Sequence, residues 1–489
     1  MRLSLKTLQD LPEVLRPGYD PAAHGIGILH LGIGAFHRAH QAAYTDDALA
    51  AKGGDWRILG VSLRSTGIVE ALAAQDGLFT LTERGDGADR TRVIASIAET
   101  LAASRDAQAV RAAFVRPEIR VVTLTVTEKA YGIDRGAMDI DPAHPDVAAD
   151  LQDPRNPCGV LGLLTEGLRM RREAGLAAPA ILCCDNLPEN GVLLRAGVLG
   201  FARRVDASLA QWIEAEVSFP SSMVDRITPA ATEATTARIR EQFGIEDAAA
   251  IESEAFRQWV IEDDFPQGRP AWEAGGALFV RDVAPYERMK LRMLNGAHSL
   301  IAYAGFLAGH ALVRDAMQDA PLVALVNRHM KAAAQTVGHL PDIDVAAYRS
   351  DLLARFANPS IAHQTFQIAM DGTEKLPQRI FAPAIEALDA GADIAPFAFA
   401  TAAWMRYCIG TDETGKAYDR RDPRDAEIRA AIATTDNADA CGLRDALMAL
   451  PLLFPKALAE SAAFRGACAT RLQTMLDEGM VKATRKEAE

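Results

Sequence analysis

Cysteine is scarce in this chain: there are six in 489 residues, at Cys158, Cys183, Cys184, Cys408, Cys441 and Cys468. None stands in C-x-x-C spacing, so neither a thiolate zinc site nor a disulfide framework is expected, and no metal is assigned. Positive charge is in deficit, with 52 Lys and Arg against 65 Asp and Glu and a net charge of -13. Such a chain has no general field for nucleic acid or an anionic membrane, and a small soluble substrate is the expected partner. Long apolar runs are missing too: no stretch of about 18 or more uncharged apolar residues, the length of a membrane span, occurs. The opening "MRLSLKTLQDLPEV" lacks the apolar core of a signal peptide, which predicts a cytoplasmic protein.

What is present is ordinary globular material, 49% hydrophobic and 24% charged, with room for two or three domains. In the first half, "GIGILHLGIG" (25–34), "WRILGVSL" (56–63), "IRVVTLTVTE" (119–128) and "PAILCCDN" (179–186) read as buried strands separated by helical segments. That alternation predicts an α/β fold with a largely parallel sheet covered on both faces. The stretch "LFTLTERGDGADRTRVIASIAE" (78–99) reads as a hairpin with a Gly/Asp turn. After Glu287 strand patterning fades into alanine- and leucine-rich helices, so the expected division is 1–286 and 287–489, with "VKATRKEAE" as a frayed tail.

Two places carry chemistry. In "LHLGIGAFHRAH", Gly32 and Gly34 follow the first strand and precede a helix, as glycines do where backbone approaches a pyrophosphate. A simple turn is the competing reading, because His37 stands where a G-x-G-x-x-G pattern has its third glycine. The second strand runs into Arg64, Ser65 and Thr66 with no carboxylate at its tip, which leaves the choice between NAD and NADP open on these residues. The second place is "VAPYERMKLRMLNGAHSLIAY" (283–303). Wound as one α-helix, it sets Glu287, Lys290, Asn295 and His298 within an arc of about 140°. A lysine base beside amide donors suits metal-free oxidation of a secondary alcohol, where a proton must leave the hydroxyl as hydride leaves its carbon. Asn186 in "CCDNLPENG" is a second amide at a strand end, with helix capping as its alternative. Asp225 in "SSMVDRITP" is either a site acid or a turn acid paired with Arg226.

In order, "LGIGAFHRAHQAAYTDDAL", "TLTVTEKAYGID", "CCDNLPENG", "FPSSMVDRITP", "QWVIEDDFPQGRPAW" and "KLRMLNGAHS" resemble the polyol-specific long-chain dehydrogenase/reductase (mannitol dehydrogenase) family over nearly the whole chain. The resemblance implies a Rossmann-type N-terminal domain, a mainly α-helical C-terminal domain, and a metal-free site in the cleft between them. It implies Lys290 as general base, Asn186 and Asn295 polarising the reacting oxygen, His298 orienting hydroxyls and Glu287 gating a proton path. Gly32, Gly34, Ala35, Phe36, Arg64 and Glu128 fall in its cofactor segments, with Asn186 and Asp225 beside nicotinamide and substrate, and NAD is the implied cofactor. A monomer is implied, with a dimer as the alternative.

"EAFRQWVIEDDF", "KLRMLNGAHS" and "QIAMDGTEKLPQR" are most similar to the fructuronate reductases of that family, which favours D-fructuronate and D-mannonate as substrates over a neutral polyol such as mannitol or arabinitol. A carboxylate in a closed site needs cations or several donors, and Arg292, Lys375 and Arg379 are the candidates. Arg292 sits two residues from Lys290, about 160° or more around a helix, and pairing with a surface acid is its alternative.

Overall fold

Five short apolar runs build the main sheet: β1 (Ile26–Leu31), β2 (Arg57–Ser62), β3 (Ile97–Ala102), β4 (Val121–Leu124) and β5 (Ala180–Cys183). They lie in the order β3-β2-β1-β4-β5, every neighbouring pair parallel. Apart from β3, the strands are buried at every residue, which is why they read as unbroken apolar runs rather than alternating ones. The connection from β1 goes to one side and that from β2 to β3 continues outward, whereas β4 lies on the other flank of β1. The crevice at the carboxyl ends of β1 and β4 is therefore the switch point where ligands bind in such sheets.

The structure is a computed structural model describing residues 1–85, 87–338, 340 and 343–489, and it divides into two compact units, Met1–Ala284 and Pro285–Glu489. In the first unit, the stretch read as one hairpin separates into two parts. Phe79–Arg84 and Arg90–Ile94 do pair antiparallel, joined by a parallel strand at Ile251–Glu254, while Ile97 already begins β3. Asp86 of the expected turn lies outside the described residues. The division falls at Ala95 and Ser96 because polar partners pin the chain there. The Ala95 amide donates to Asp46 Oδ1 at 2.8 Å, the Ser96 hydroxyl to the Ala42 carbonyl at 2.8 Å, and Ile58 N to the Ser96 carbonyl at 2.8 Å.

A third sheet sets Ser222–Asp225 antiparallel to Gln258–Glu262, which pairs in parallel with Leu278–Val280. Its Trp259 ring lies 5.3 Å from that of Tyr44 and 4.7 Å from that of Trp272, and Trp272 Nε1 donates to Thr45 Oγ1 at 3.0 Å. Large packed aromatic rings, with Trp272 also hydrogen-bonded, fix the sheet against helix Gln41–Lys52.

The second unit is helical, with isolated bridges at Leu312 with Gln364 and Thr411 with Ala417 but no strand among its described residues. Helix Ala395–Cys408 is buried at every residue but its first, and Ala462–Glu478 packs along it. The tail expected to fray is instead helix Met480–Ala488. Met480, Ala483 and Thr484 form a buried i, i+3, i+4 face, and Arg471 holds Glu487 at 2.7 Å.

Five imidazoles among the described residues are buried and neutral. Desolvation lowers His30 and His40 to about 3 and His329 to about 4, and takes His37 and His298 well below the ordinary value. Each folded pKa lies below the unfolded one near 6.5, so the stability is present above that pH and is lost as the pH falls below it. Asp46 and Glu166, pushed up by burial to about 6 and about 7 although arginines contact both, act in the opposite sense, as do Asp89, Asp150 and Asp185, while burial lowers His363 along with the five imidazoles. Urea unfolding at pH 7.5 and 5.5 should show stability falling with acid, by about 1.4 kcal/mol per pH unit for each proton taken up on unfolding. A flat or rising profile would contradict this account.

Candidate active site

In the first unit the site begins at the turn after β1. Gly32 has φ +105°, and a Cβ there would stand 2.0 Å from the Thr125 carbonyl oxygen, so no L side chain fits. Its carbonyl accepts from Thr125 Oγ1 at 2.6 Å, and its amide donates to the Val61 carbonyl at 2.7 Å. Gly34 differs: it is exposed, and a Cβ there would meet nothing within 4 Å. The place of a third glycine is filled by His37, fully buried and stacked on His30 with ring centroids 3.4 Å apart. His30 in turn reaches Thr123 Oγ1 at 2.8 Å and the Gly32 carbonyl at 3.0 Å. The expected single helix is broken into Ala35–Ala39 and Gln41–Lys52, because the Arg226 guanidinium takes the Ala39 carbonyl and interrupts the ladder. Ala35 and Phe36 are half-buried on the short segment, with Phe36 stacked on His40 at 5.0 Å.

The carboxyl ends of β4 and β5 are tied by one carboxylate. Asp185 accepts from Val126 N at 2.8 Å, Thr127 N at 3.2 Å and Tyr131 OH at 2.6 Å. It holds Thr127 at φ +80°, a costly conformation for a β-branched residue that persists only when its surroundings enforce it. On the other side Asn190 Nδ2 donates to the carbonyls of Cys183, Asp185 and Ser222 at 3.2, 3.1 and 2.7 Å, and its Oδ1 accepts from Ser222 N at 2.9 Å. Asn186 is exposed on the turn these two residues pin. It does not cap helix Asn190–Val205, whose N-cap is Glu189. Asp225 ends its strand 5% exposed, and Arg226 pairs with Glu83 at 2.6 Å. Arg64 is exposed at the end of β2 with Asp146 at 3.7 Å, and Glu128 is exposed with Arg135 at 3.3 Å.

In the second unit the helix expected to be regular is not. Ala284–Met289 is α-helical, Lys290–Asn295 is π-helical, and α-helix resumes at Gly296–Leu300. Winding with i→i+5 bonds stacks residues five apart, so Lys290 and Asn295 lie on one face, and such bulges recur at functional sites. His298 follows one α-turn from Asn295, and Glu287 precedes Lys290 by the same interval, half-buried. Lys290, Asn295 and His298 are 7%, 7% and 6% exposed. Asn295 Nδ2 and His298 Nε2 are buried with no hydrogen-bond partner among the described residues, which in a native interior calls for a ligand or water. Desolvation keeps His298 neutral, reinforced by His363 and the charges of Arg355, Arg379 and Lys290.

The three substrate cations fare differently. Arg379 arrives on the π-helical segment Pro377–Phe381, which approaches closely because Gly296 has no Cβ; one added there would sit 3.0 Å from the Arg379 carbonyl. Its guanidinium is 3.4 Å from Ser299 Oγ. Lys375 donates to the Met370 carbonyl at 2.6 Å and lies 3.6 Å from Asp371, with its charge felt at His363. Arg292 turns away: its two terminal nitrogens each hold a Glu386 oxygen at 2.6 Å, and it also takes the Thr336 carbonyl. Its charge is committed to that bidentate pair, the alternative that the sequence left open for it. Residues missed in the sequence are Asp185, Asn190, Arg355 and His363. The first two stood within the quoted "CCDNLPENG", where an Asn or Asp at a strand end was signal enough.

The parallel order and the glycine turn define a Rossmann-type unit, followed by a separate helical unit. The chain belongs to the mannitol dehydrogenase family of oxidoreductases: residues 26–274 match the mannitol dehydrogenase Rossmann domain and 282–476 its C-terminal domain. It is 42% identical over 471 residues to the D-mannonate oxidoreductase of Escherichia coli (strain K12), covering 95% of this chain and 96% of that one. It is 41% identical over 414 residues to the mannitol 2-dehydrogenase of Cereibacter sphaeroides, covering 84% and 86%. The solved mannitol 2-dehydrogenase of Pseudomonas fluorescens, a ternary complex with NAD and D-mannitol, superposes with a TM-score of 0.87 at 38% identity, covering 99% of each chain. No helix among the described residues is long and apolar enough to cross a membrane.

The two glycines should separate in mutagenesis. Gly32→Ala should cost at least about 2–3 kcal/mol in urea unfolding, through the clash and the left-handed φ. Gly34→Ala should stay within about 1 kcal/mol of the parent. Equal effects would refute the assignment of steric necessity to Gly32 alone.

Proposed function

We propose that the protein interconverts D-fructuronate and D-mannonate with NAD(H), without a metal, using Lys290 as the proton-transferring group. The observation that carries the sugar-acid choice is the gathering of positive charge from Lys290, Arg355 and Arg379 at the neutral His298, with Lys375 acting on His363. That concentration of positive charge attracts a carboxylate-bearing substrate more strongly than a neutral polyol. The 42% identity to a D-mannonate oxidoreductase supports the same reading. The 41% identity to a mannitol 2-dehydrogenase favours a second one, oxidation of D-mannitol or a related polyol such as D-arabinitol.

The residues after β1 fit a dinucleotide. The left-handed Gly32 turns the chain, and the space over Gly34 that a Cβ would fill leaves its backbone open to a pyrophosphate. Gly32, Gly34, Ala35 and Phe36 would hold it, with Arg64 and Glu128 on the flanking loops. Bound NADH supplies the hydride that reaches the ketose carbon. Lys290, as ammonium, delivers its proton to the oxygen on which charge develops, and takes it back in the reverse direction. Asn295 Nδ2, a donor not spent elsewhere among the described residues, and the amide of Asn186 stabilise that oxygen. His298 orients substrate hydroxyls, Glu287 relays the proton to solvent, and Asp225 lies near the reacting carbon in this proposal. Small sugars, rather than macromolecules, are the partners it requires.

NADH oxidation by the purified protein with D-fructuronate and with D-fructose tests the reading, repeated with NADPH. Faster turnover of D-fructuronate is expected, and a clear preference for D-fructose would replace the proposal with the polyol reading. Lys290→Ala should lower kcat by about 100-fold or more while NADH binding persists. Unchanged turnover would remove Lys290 from the mechanism.

A further inference from the structure

Beside His298 stands a second imidazole that neither the spacing nor the resemblance singled out. His363 meets His298 edge-on, with ring centroids 5.3 Å apart and planes at 85°, while Phe356 covers another side of His298 at 4.5 Å. His363 Nδ1 is buried with no hydrogen-bond partner among the described residues.

The loop carrying it is clamped on both sides. The His363 carbonyl accepts from Val313 N at 2.9 Å, Thr365 N donates to the Ala311 carbonyl at 3.0 Å, Thr365 Oγ1 donates to the His310 carbonyl at 2.8 Å, and Gln364 bridges Leu312. A side chain on a backbone fixed this firmly is preorganised, so an unspent polar atom on it is available to a ligand at little ordering cost. Arg355, next to Phe356 on helix Val345–Ala357, is 8% exposed, and its charge and that of Arg379 reach His298. The surroundings of the two imidazoles are thus rich in positive charge and hold two unspent ring nitrogens, His298 Nε2 and His363 Nδ1.

We infer that His363 is a specificity-determining residue, its Nδ1–H donating to the substrate's carboxylate beside the field of Arg355 and Arg379. This rests on the sugar-acid reading above and adds to it the group that recognises the acid. Burial and the charge of Lys375 keep the ring neutral, so it acts as a hydrogen-bond donor and the arginines supply the charge. A site built around a donor rejects the analogue lacking the acceptor far more strongly than an apolar pocket would.

Two substitutions separate donation from ring packing. His363→Phe keeps an aromatic ring against His298 and removes both nitrogens, whereas His363→Asn loses the ring and keeps an amide near the position of Nδ1. NADH-dependent kcat/KM is measured with D-fructuronate and with D-fructose for the parent and both variants. The Phe variant should lose about 100-fold on D-fructuronate, mostly through KM, and less than about threefold on D-fructose. The Asn variant should keep the parent's fructuronate-to-fructose ratio within about tenfold. Retained selectivity in the Phe variant, or its loss in the Asn variant, overturns the role of His363 and leaves the sugar-acid reading standing. A parent enzyme that prefers D-fructose overturns both.

Discussion

The widening of one buried helix between Lys290 and Asn295 is the constraint on which the second unit turns. A regular helix through this segment would leave the amine and the amide well apart around its axis, and i→i+5 winding stacks them. The neighbours follow from that choice. Gly296 without a Cβ lets the segment bearing Arg379 approach, and the Asn295 carbonyl accepts from Ser299 Oγ at 3.1 Å. Burying an amine, an amide and an imidazole in an otherwise apolar helix costs desolvation that packing does not return. Asn295 Nδ2 and His298 Nε2 are left without a hydrogen-bond partner among the described residues, and the proposed function gives them a ligand.

The first unit solves a different problem, the placement of loop residues by rigid strands. Its candidate site residues lie where backbone leaves the sheet, and side chains rather than regular structure fix that backbone. Asp185 joins the ends of β4 and β5 by three accepted hydrogen bonds, and Asn190 takes three carbonyls from its opposite side. Arg226 stops the helix after Ala39, and the stacked His30 and His37 fill the space beneath the turn. His37, which stands in the place of a third glycine, is a buried ring, and of Gly32 and Gly34 only Gly32 is sterically required.

Much of this was legible in the chain. Buried parallel strands announce themselves as apolar runs, and polar residues stranded in an apolar helix stand out because their burial demands a reason. The errors also have physical causes. The run 78–99 looked like one hairpin because both of its parts are β-rich, and the pinning of Ala95 and Ser96 by residues 49 and 54 positions away cannot be seen locally. The tail looked frayed because its charges hide a three-residue buried face that has meaning only against a neighbouring helix. Arg292 and Arg379 were equivalent as letters, and only packing gave one to Glu386 and brought the other near Ser299.

By itself the sequence determined the element types, the parallel character of the main sheet, the glycine turn and the presence of Lys290, Asn295 and His298 on one apolar helix, because each is written in local periodicity or in residues a few positions apart. Tertiary structure decided the π-helical winding, the commitment of Arg292, the pinning of Asn186 by Asp185 and Asn190, and the meeting of His298 with His363. Those depend on contacts between segments distant in the chain, where close packing and the need to satisfy buried polar groups choose among partners that the local sequence leaves equally possible.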